Sequence, residues 1–145
     1  MNDDKVIARA MAILSRRMRT TDQLSSPGSV RDYLRLLLAG KEHEVFVVVL
    51  LDAQHRVLGC EEMFRGTLTQ TSVYPREIVK VALAANAASV IFAHNHPSGV
   101  SVPSRADEML TRELKVSLAL VDVKVLDHFV VAGDGWASFA EHGLL

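Results

Sequence analysis

Residues 94 to 107 read HNHPSGVSVPSRAD and gather the side chains of this chain best suited to chemistry. His94 and His96 stand two apart, and Ser104 and Asp107 follow at spacings from which all could converge on one ion. On a strand, the period of two turns both imidazoles to one side and Asn95 to the other. Pro97 and Gly99 predict a turn and Pro103-Ser104 a helix start, so Asp107 falls in the first helical turn beside the strand end. Two imidazole nitrogens and one carboxylate make a catalytic zinc set, because three protein ligands leave the fourth tetrahedral position for a water that the metal acidifies. A closed structural site takes four ligands, and with Cys60 as the single cysteine a thiolate-rich one is excluded. Plainer readings exist for each residue. Two histidines can be satisfied members of a core, and Ser104-x-x-Asp107 is a capping box in its own right. The capping and ligand roles are compatible, since residues three apart share a helix face.

These residues need a scaffold, and the chain has material for one. Its 145 residues are one domain's worth, enough to bury on the order of 70% of the extended chain's surface. Apolar residues make up 49% and charged ones 23%, a globular composition too apolar for disorder. The longest apolar run, Val45 to Leu51, is far short of a membrane span and reads as a buried strand. The opening MNDDK lacks the basic-then-apolar pattern of a secretory signal, so a cytoplasmic protein is expected, with no membrane partner. The net charge of −1 and pI near 6.6 give no global positive field for phosphate backbones. Arg16, Arg17 and Arg19 form the densest basic cluster, at the end of the first helical pattern where cations also suit the helix C-terminus.

Helical spacing of Ile7, Met11, Leu14 and Met18 predicts a helix over 3–19. Ser25-Ser26-Pro27-Gly28 then punctuates the chain, and Ser29-x-x-Asp32 predicts a second helix through Leu38, closed by Gly40. From Glu44 the period changes, and EVFVVVLLD and RVLGCEEM read as a strand hairpin. Pro75 to Ala88 reads as a helix, SVIFAH as the next strand, Ser104 to about Leu120 as a helix, and VDVKVLD and HFVVAG as two further strands. Gly133-Asp134-Gly135 turns the chain toward its end. The order ββ-α-β-α-ββ predicts a mixed α/β sandwich.

The spacing His-x-His-x7-Ser-x2-Asp matches the core of the JAMM (MPN-plus) metalloprotease motif. Around it VYPREIVK, ALAANAASVIFAHNHPSG and LDHFVVAGDG resemble the RadC family, over roughly Glu44 to Leu145. The resemblance implies an α/β (α+β) fold of JAMM/MPN, cytidine deaminase-like, α-β-α architecture, a mixed sheet with helices on both sides. Residues 1–40 would be an N-terminal helical extension and residues 41–145 the metal-binding domain. One Zn²⁺ per chain is implied on His94, His96 and Asp107, with Ser104 placed to hydrogen-bond the developing oxyanion. The family's proton-shuttling glutamate lies upstream at the first strand, which points to Glu44, with Glu42 as the rival.

Glu61 and Glu62 read instead as an exposed strand end, and Cys60 as buried. Asp127-His128 looks like the family's DH pair, either a support that orients ligands or a polar strand junction. Arg76-Glu77 reads as a helix cap or an ion pair. The implied activity is a zinc-dependent hydrolase of peptide or isopeptide bonds acting on a protein or peptide. The alternative is a DNA repair or recombination accessory protein with a non-catalytic zinc. Two departures stand out: residues 1–40 are too short for the helix-hairpin-helix region usual in the family, and Val100 stands where an acidic residue is common. A nucleobase deaminase is disfavoured, because a single cysteine cannot supply the Pro-Cys-x-x-Cys pair.

Overall fold

The computed structural model describes residues 2–18, 27–66 and 72–145. The turn expected at Ser25-Ser26 and Arg19 of the basic cluster lie outside the described residues, as does the side chain of Arg17. Two helices, α1 (Asp3–Met18) and α2 (Pro27–Ala39), precede the hairpin of β1 (Val45–Leu51) and β2 (Val57–Arg65). Then come α3 (Pro75–Ala84), β3 (Ser89–His96), α4 (Arg105–Ala119), β4 (Lys124–Ala132) and β5 (Gly135–Ser138). The strands form one mixed sheet in the order β2-β1-β3-β4-β5, in which only the β3–β4 pair is parallel.

All seven residues of β1 are buried because the sheet is covered on both faces, which removes any need for polar alternation. Val45, Val47, Val49 and Leu51 join Ile91 and Ala93 of β3 under Val30, Leu34 and Leu38 of α2, with α1 resting on α2. On the opposite face Phe46, Val48 and Leu50 join Val90 and Phe92 under Ile78 and Ala82 of α3 and Leu114 and Leu118 of α4. The architecture is therefore the expected mixed α/β, α-β-α layering.

Several boundaries differ from the sequence-based expectation, each for a local reason. Helix α2 opens at Pro27 rather than at Ser29, in keeping with proline's preset φ and missing donor at a first helical position. Helix α3 stops at Ala84, four residues early, because Asn86 adopts φ 54°. Ala87 N then donates to Ala82 O and Asn86 N to Leu83 O, which closes the helix as a Schellman motif. The two strands expected over 121–133 are one strand, β4, and the final strand β5 lies beyond Gly133-Asp134. Asp127 does not break β4, because its carboxylate is bonded locally: Oδ1 accepts from His128 N and Ala140 N, and Oδ2 from Ser138 Oγ. Cys60 is half-buried rather than buried, since β2 is an edge strand, and Glu61 and Glu62 are exposed in mid-strand rather than at a strand end.

One irregularity in the sheet matters for the site. Opposite β3, Val90 pairs with Val125 but Ile91 pairs with Asp127, so β4 carries an extra residue there. That bulge reverses the alternation downstream. Val125 faces α3 and α4, and regular pleating would put Asp127 and Phe129 on the same face; instead Phe129 and Val131 join the α2 side and His128, opposite Phe92, turns toward α4.

Candidate metal centre

The site forms where β3 ends between two neighbours, with His94 paired to Phe46 of β1 and to Val130 of β4. His94 and His96 point to the α4 side and their Nε2 atoms lie 3.0 Å apart. Asp107 arrives as expected, at the third position of α4: its Oδ2 is 2.9 Å from His96 Nε2 and its Oδ1 3.2 Å from His94 Nε2. A tetrahedral zinc with bonds near 2.0–2.1 Å holds its ligand atoms about 3.3 Å apart, so the two imidazole nitrogens and the carboxylate oxygen nearest each already have almost the spacing one ion needs. Glu44 joins them from the start of β1, and the four ligating atoms all lie within 4.8 Å of one another. The donor chemistry fits zinc: two neutral-capable imidazoles, one carboxylate, and a second carboxylate beside the open side.

Ser104 is the N-cap of α4: its Oγ accepts from Asp107 N at 3.0 Å, while Asp107 Oδ2 accepts from Ser104 N at 2.8 Å. The capping box and the metal geometry thus coexist, and the Ser104 hydroxyl hydrogen stays available to donate. Ser104 lines the same cleft of about 730 Å³ as Glu44, His94, His96 and Asp107. Val73, Val100, Val102, Ala106 and Leu110 give that cleft an apolar wall. Glu42 is elsewhere: it is exposed in a bend two residues before Glu44, and it is outside both the cluster and the cleft.

Electrostatics follow from this packing. Burial works against the Asp107 anion, but bonds from His94, His96 and the Ser104 backbone outweigh it and hold the carboxyl well below its usual range. The bond to Asp107 raises His96, burial partly opposes it, and the Val100 carbonyl assists by accepting from Nδ1 at 2.9 Å. Val100 therefore serves His96 through its backbone, with its side chain exposed, so the absence of an acidic side chain there costs this contact nothing. His128 is fully buried, and burial first, then the neighbouring His94, hold it well below the ordinary imidazole value.

The Asp127-His128 pair divides between two tasks. Asp127 staples β4 to residues 138–140, while the His128 ring lies behind His94, Nε2 to Nδ1 at 2.7 Å. Glu77 pairs with Lys80 on α3, not with Arg76. Three supporting residues escaped the sequence reading. Thr111 donates to Asp107 O at 2.7 Å and meets His128 Nδ1 at 2.6 Å; a hydroxyl one turn beyond Asp107 on a leucine-rich stripe was its only signal. Asn95, 3% exposed, accepts from Val45 N at 2.7 Å and donates to His43 O at 2.8 Å, gripping the backbone on both sides of Glu44. Asp134 accepts from Ser101 N, and its own N–H donates to Gly99 O, tying the 97–103 loop to the β4–β5 turn.

An α-β-α domain with a two-histidine, two-carboxylate cluster at the end of a central strand is the class that fold and site define. The family model described as the RadC-like JAB domain matches residues 24–144. The chain belongs to that family. It is 68% identical over 133 residues to a UPF0758 protein of Dechloromonas aromatica (strain RCB), covering 91% of this chain and 59% of the relative. It is also 63% identical over 140 residues to a UPF0758 protein of Nitrosomonas eutropha, covering 97% and 62%. A UPF0758 protein of Thiobacillus denitrificans matches at the same 63%, again covering 62% of that relative. The chain thus spans about three fifths of the length of these curated relatives. Among the described residues, no helix is long and apolar enough to cross a membrane.

Proposed function

We propose that this chain is a zinc-dependent hydrolase of peptide or isopeptide bonds. In this reading residues 41–145 are the metal-binding unit and residues 1–40 a helical extension that covers one sheet face. His94, His96 and Asp107 hold a single Zn²⁺, which when bound supplies Lewis acidity toward water and a scissile carbonyl. Glu44 takes a proton from the attacking water and returns it to the leaving nitrogen as the carbon–nitrogen bond breaks. The Ser104 hydroxyl, oriented by its bond from Asp107 N, donates to the carbonyl oxygen as negative charge develops there. The apolar cleft wall keeps the approaching substrate in a partly dehydrated setting, where such a bond counts for more.

The observation that carries the reading is the convergence of two imidazole nitrogens and the Asp107 carboxylate oxygens at 2.9–3.2 Å, with a second carboxylate, Glu44, brought to them from the segment just before β1. A closed structural site has no use for an open side flanked by a base and a hydroxyl donor. The test is Glu44→Gln. The variant keeps about one zinc per chain, and turnover falls by about 10²-fold or more. In cells, comparison with wild type reveals the substrate as a protein whose new amino termini, or freed lysine amines, appear only with the active form. Full turnover by Glu44→Gln overturns the assignment of the base, and wild-type protein that binds no zinc overturns the site.

A further inference from the structure

We infer that Thr111 and His128 form a buried relay that fixes the tautomer of His94, presenting its Nε2 lone pair to the metal. This inference rests on the metal site proposed above. At one end of the chain of bonds the acceptor is a carbonyl, which fixes the direction there. Thr111 Oγ1 donates its one hydrogen to the Asp107 carbonyl at 2.7 Å. Only a lone pair of that oxygen is left for His128 Nδ1 at 2.6 Å, so His128 Nδ1 carries a hydrogen and donates it. The His128 ring is enclosed by Phe46, Phe92 and Phe139, with centroids at 5.5, 5.8 and 4.6 Å, a setting that favours the uncharged ring. An uncharged ring with Nδ1–H has Nε2 as an acceptor, and that atom faces His94 Nδ1 at 2.7 Å. His94 must therefore carry its hydrogen on Nδ1. In the uncharged ring that a metal requires, its lone pair then lies on Nε2, the atom 3.0 Å from His96 Nε2 and 3.2 Å from Asp107 Oδ1.

The relay closes on itself. Asp107 offers its carboxylate to the ion and its backbone carbonyl to Thr111, so one residue of α4 sets both a ligand and, through two side chains, the protonation pattern of another ligand on β3. His96 reaches the same tautomer more simply, by donating Nδ1–H to the Val100 carbonyl in the loop. The bulge in β4 is what makes the relay possible, since it turns His128 to this face of the sheet.

The test uses the full chain with zinc alone as the probe. Thr111→Val keeps the side-chain shape and removes the hydroxyl; Thr111→Ser keeps the hydroxyl and removes the methyl group. Nitrogen-15 histidine spectra of the metal-free protein should show Nδ1–H for His94 in wild type and in Thr111→Ser, and a mixed population in Thr111→Val. Zinc affinity, read by competition with a chelating dye, should fall about 10- to 100-fold in Thr111→Val and stay near wild type in Thr111→Ser. Where Thr111→Val does not fold, His128→Gln, which can still accept from His94 and donate to Thr111, should bind zinc more tightly than His128→Leu. Wild-type affinity and an unchanged His94 tautomer in Thr111→Val overturn the relay, as does equal affinity of the two His128 variants. Wild-type protein that binds no zinc would instead sink the metal-site reading, and the tautomer spectra alone would then decide the relay.

Discussion

The two faces of the sheet are built from the same strands and put to different use. On the side of α2, β1 and β3 contribute Val45, Val47, Val49, Leu51, Ile91 and Ala93, an unbroken aliphatic surface under Val30, Leu34 and Leu38. On the side of α3 and α4, Phe46, Val48, Val90 and Phe92 continue directly into His94 and His96, with His128 beside them. A strand's period of two lets one backbone serve both purposes without compromise, because alternate residues never compete for the same space. The packing face supplies rigidity and the other face uses it, since side chains on a buried central strand inherit their spacing from the sheet. Asn95 is the exception that joins the two: it is the polar residue that β3 turns away from His94 and His96, and it holds the segment bearing Glu44.

This division can be broken or sharpened by substitution. The largest effect is expected on the functional face: replacing both His94 and His96 by Ala should take zinc from about one per chain to near none by elemental analysis, and equal zinc in both proteins would remove the site. Next comes the packing face. Leu34 is fully buried, and Leu34→Ala should cost about 2–5 kcal/mol in urea unfolding while leaving zinc affinity unchanged. A matching loss of zinc affinity would show that the two faces are not independent. Asn95→Ala should cost less, about 1–3 kcal/mol, because it strands the Val45 N–H in the interior. With zinc retained, its turnover should fall with that of Glu44→Gln; unaltered turnover would mean that Glu44 is held by other means.

The smallest effect is on pH dependence, and two histidines of the functional face set its shape. Just below 6.5, His128 takes a proton only in the unfolded chain, so stability is lost as pH falls from 6.5 toward the lowered folded value. Just above 6.5, His96 keeps its proton only in the folded chain, so its contribution is fully present below 6.5 and is lost as pH rises through the raised folded value. Stability of the metal-free protein should therefore peak near pH 6.5, each limb no steeper than about 1.4 kcal/mol per pH unit. Unfolding midpoints measured across this range would expose a monotonic profile, which would mean that other groups dominate.

Much of the site was legible because its signals are local. The i, i+2 histidines, the Pro/Gly turn and the capping box each depend on a few consecutive residues, and the geometry placed His94, His96, Ser104 and Asp107 as those rules imply. Helix ends were less legible where a single residue decided them: Asn86 stops α3 by taking a left-handed conformation that an alanine-rich run does not announce. Glu44 against Glu42 could not be separated by spacing alone, since two residues apart on a strand would share a face. The bend before β1 takes Glu42 off that strand altogether.

The sequence by itself determined the alternation that separates a packing face from a chemical one, the ligand pattern, and the helix start that carries Asp107. Only the tertiary structure decided what surrounds those side chains. The bulge between β3 and β4 chose His128 over Asp127 for the site, and Asn95 found its partners about 50 residues away. The physical reason is the same in each case. Periodicity and capping are properties of a chain's own neighbours, whereas a buried polar atom must take whichever partner the packed sheet brings within about 3 Å, and that choice is made only when distant segments meet.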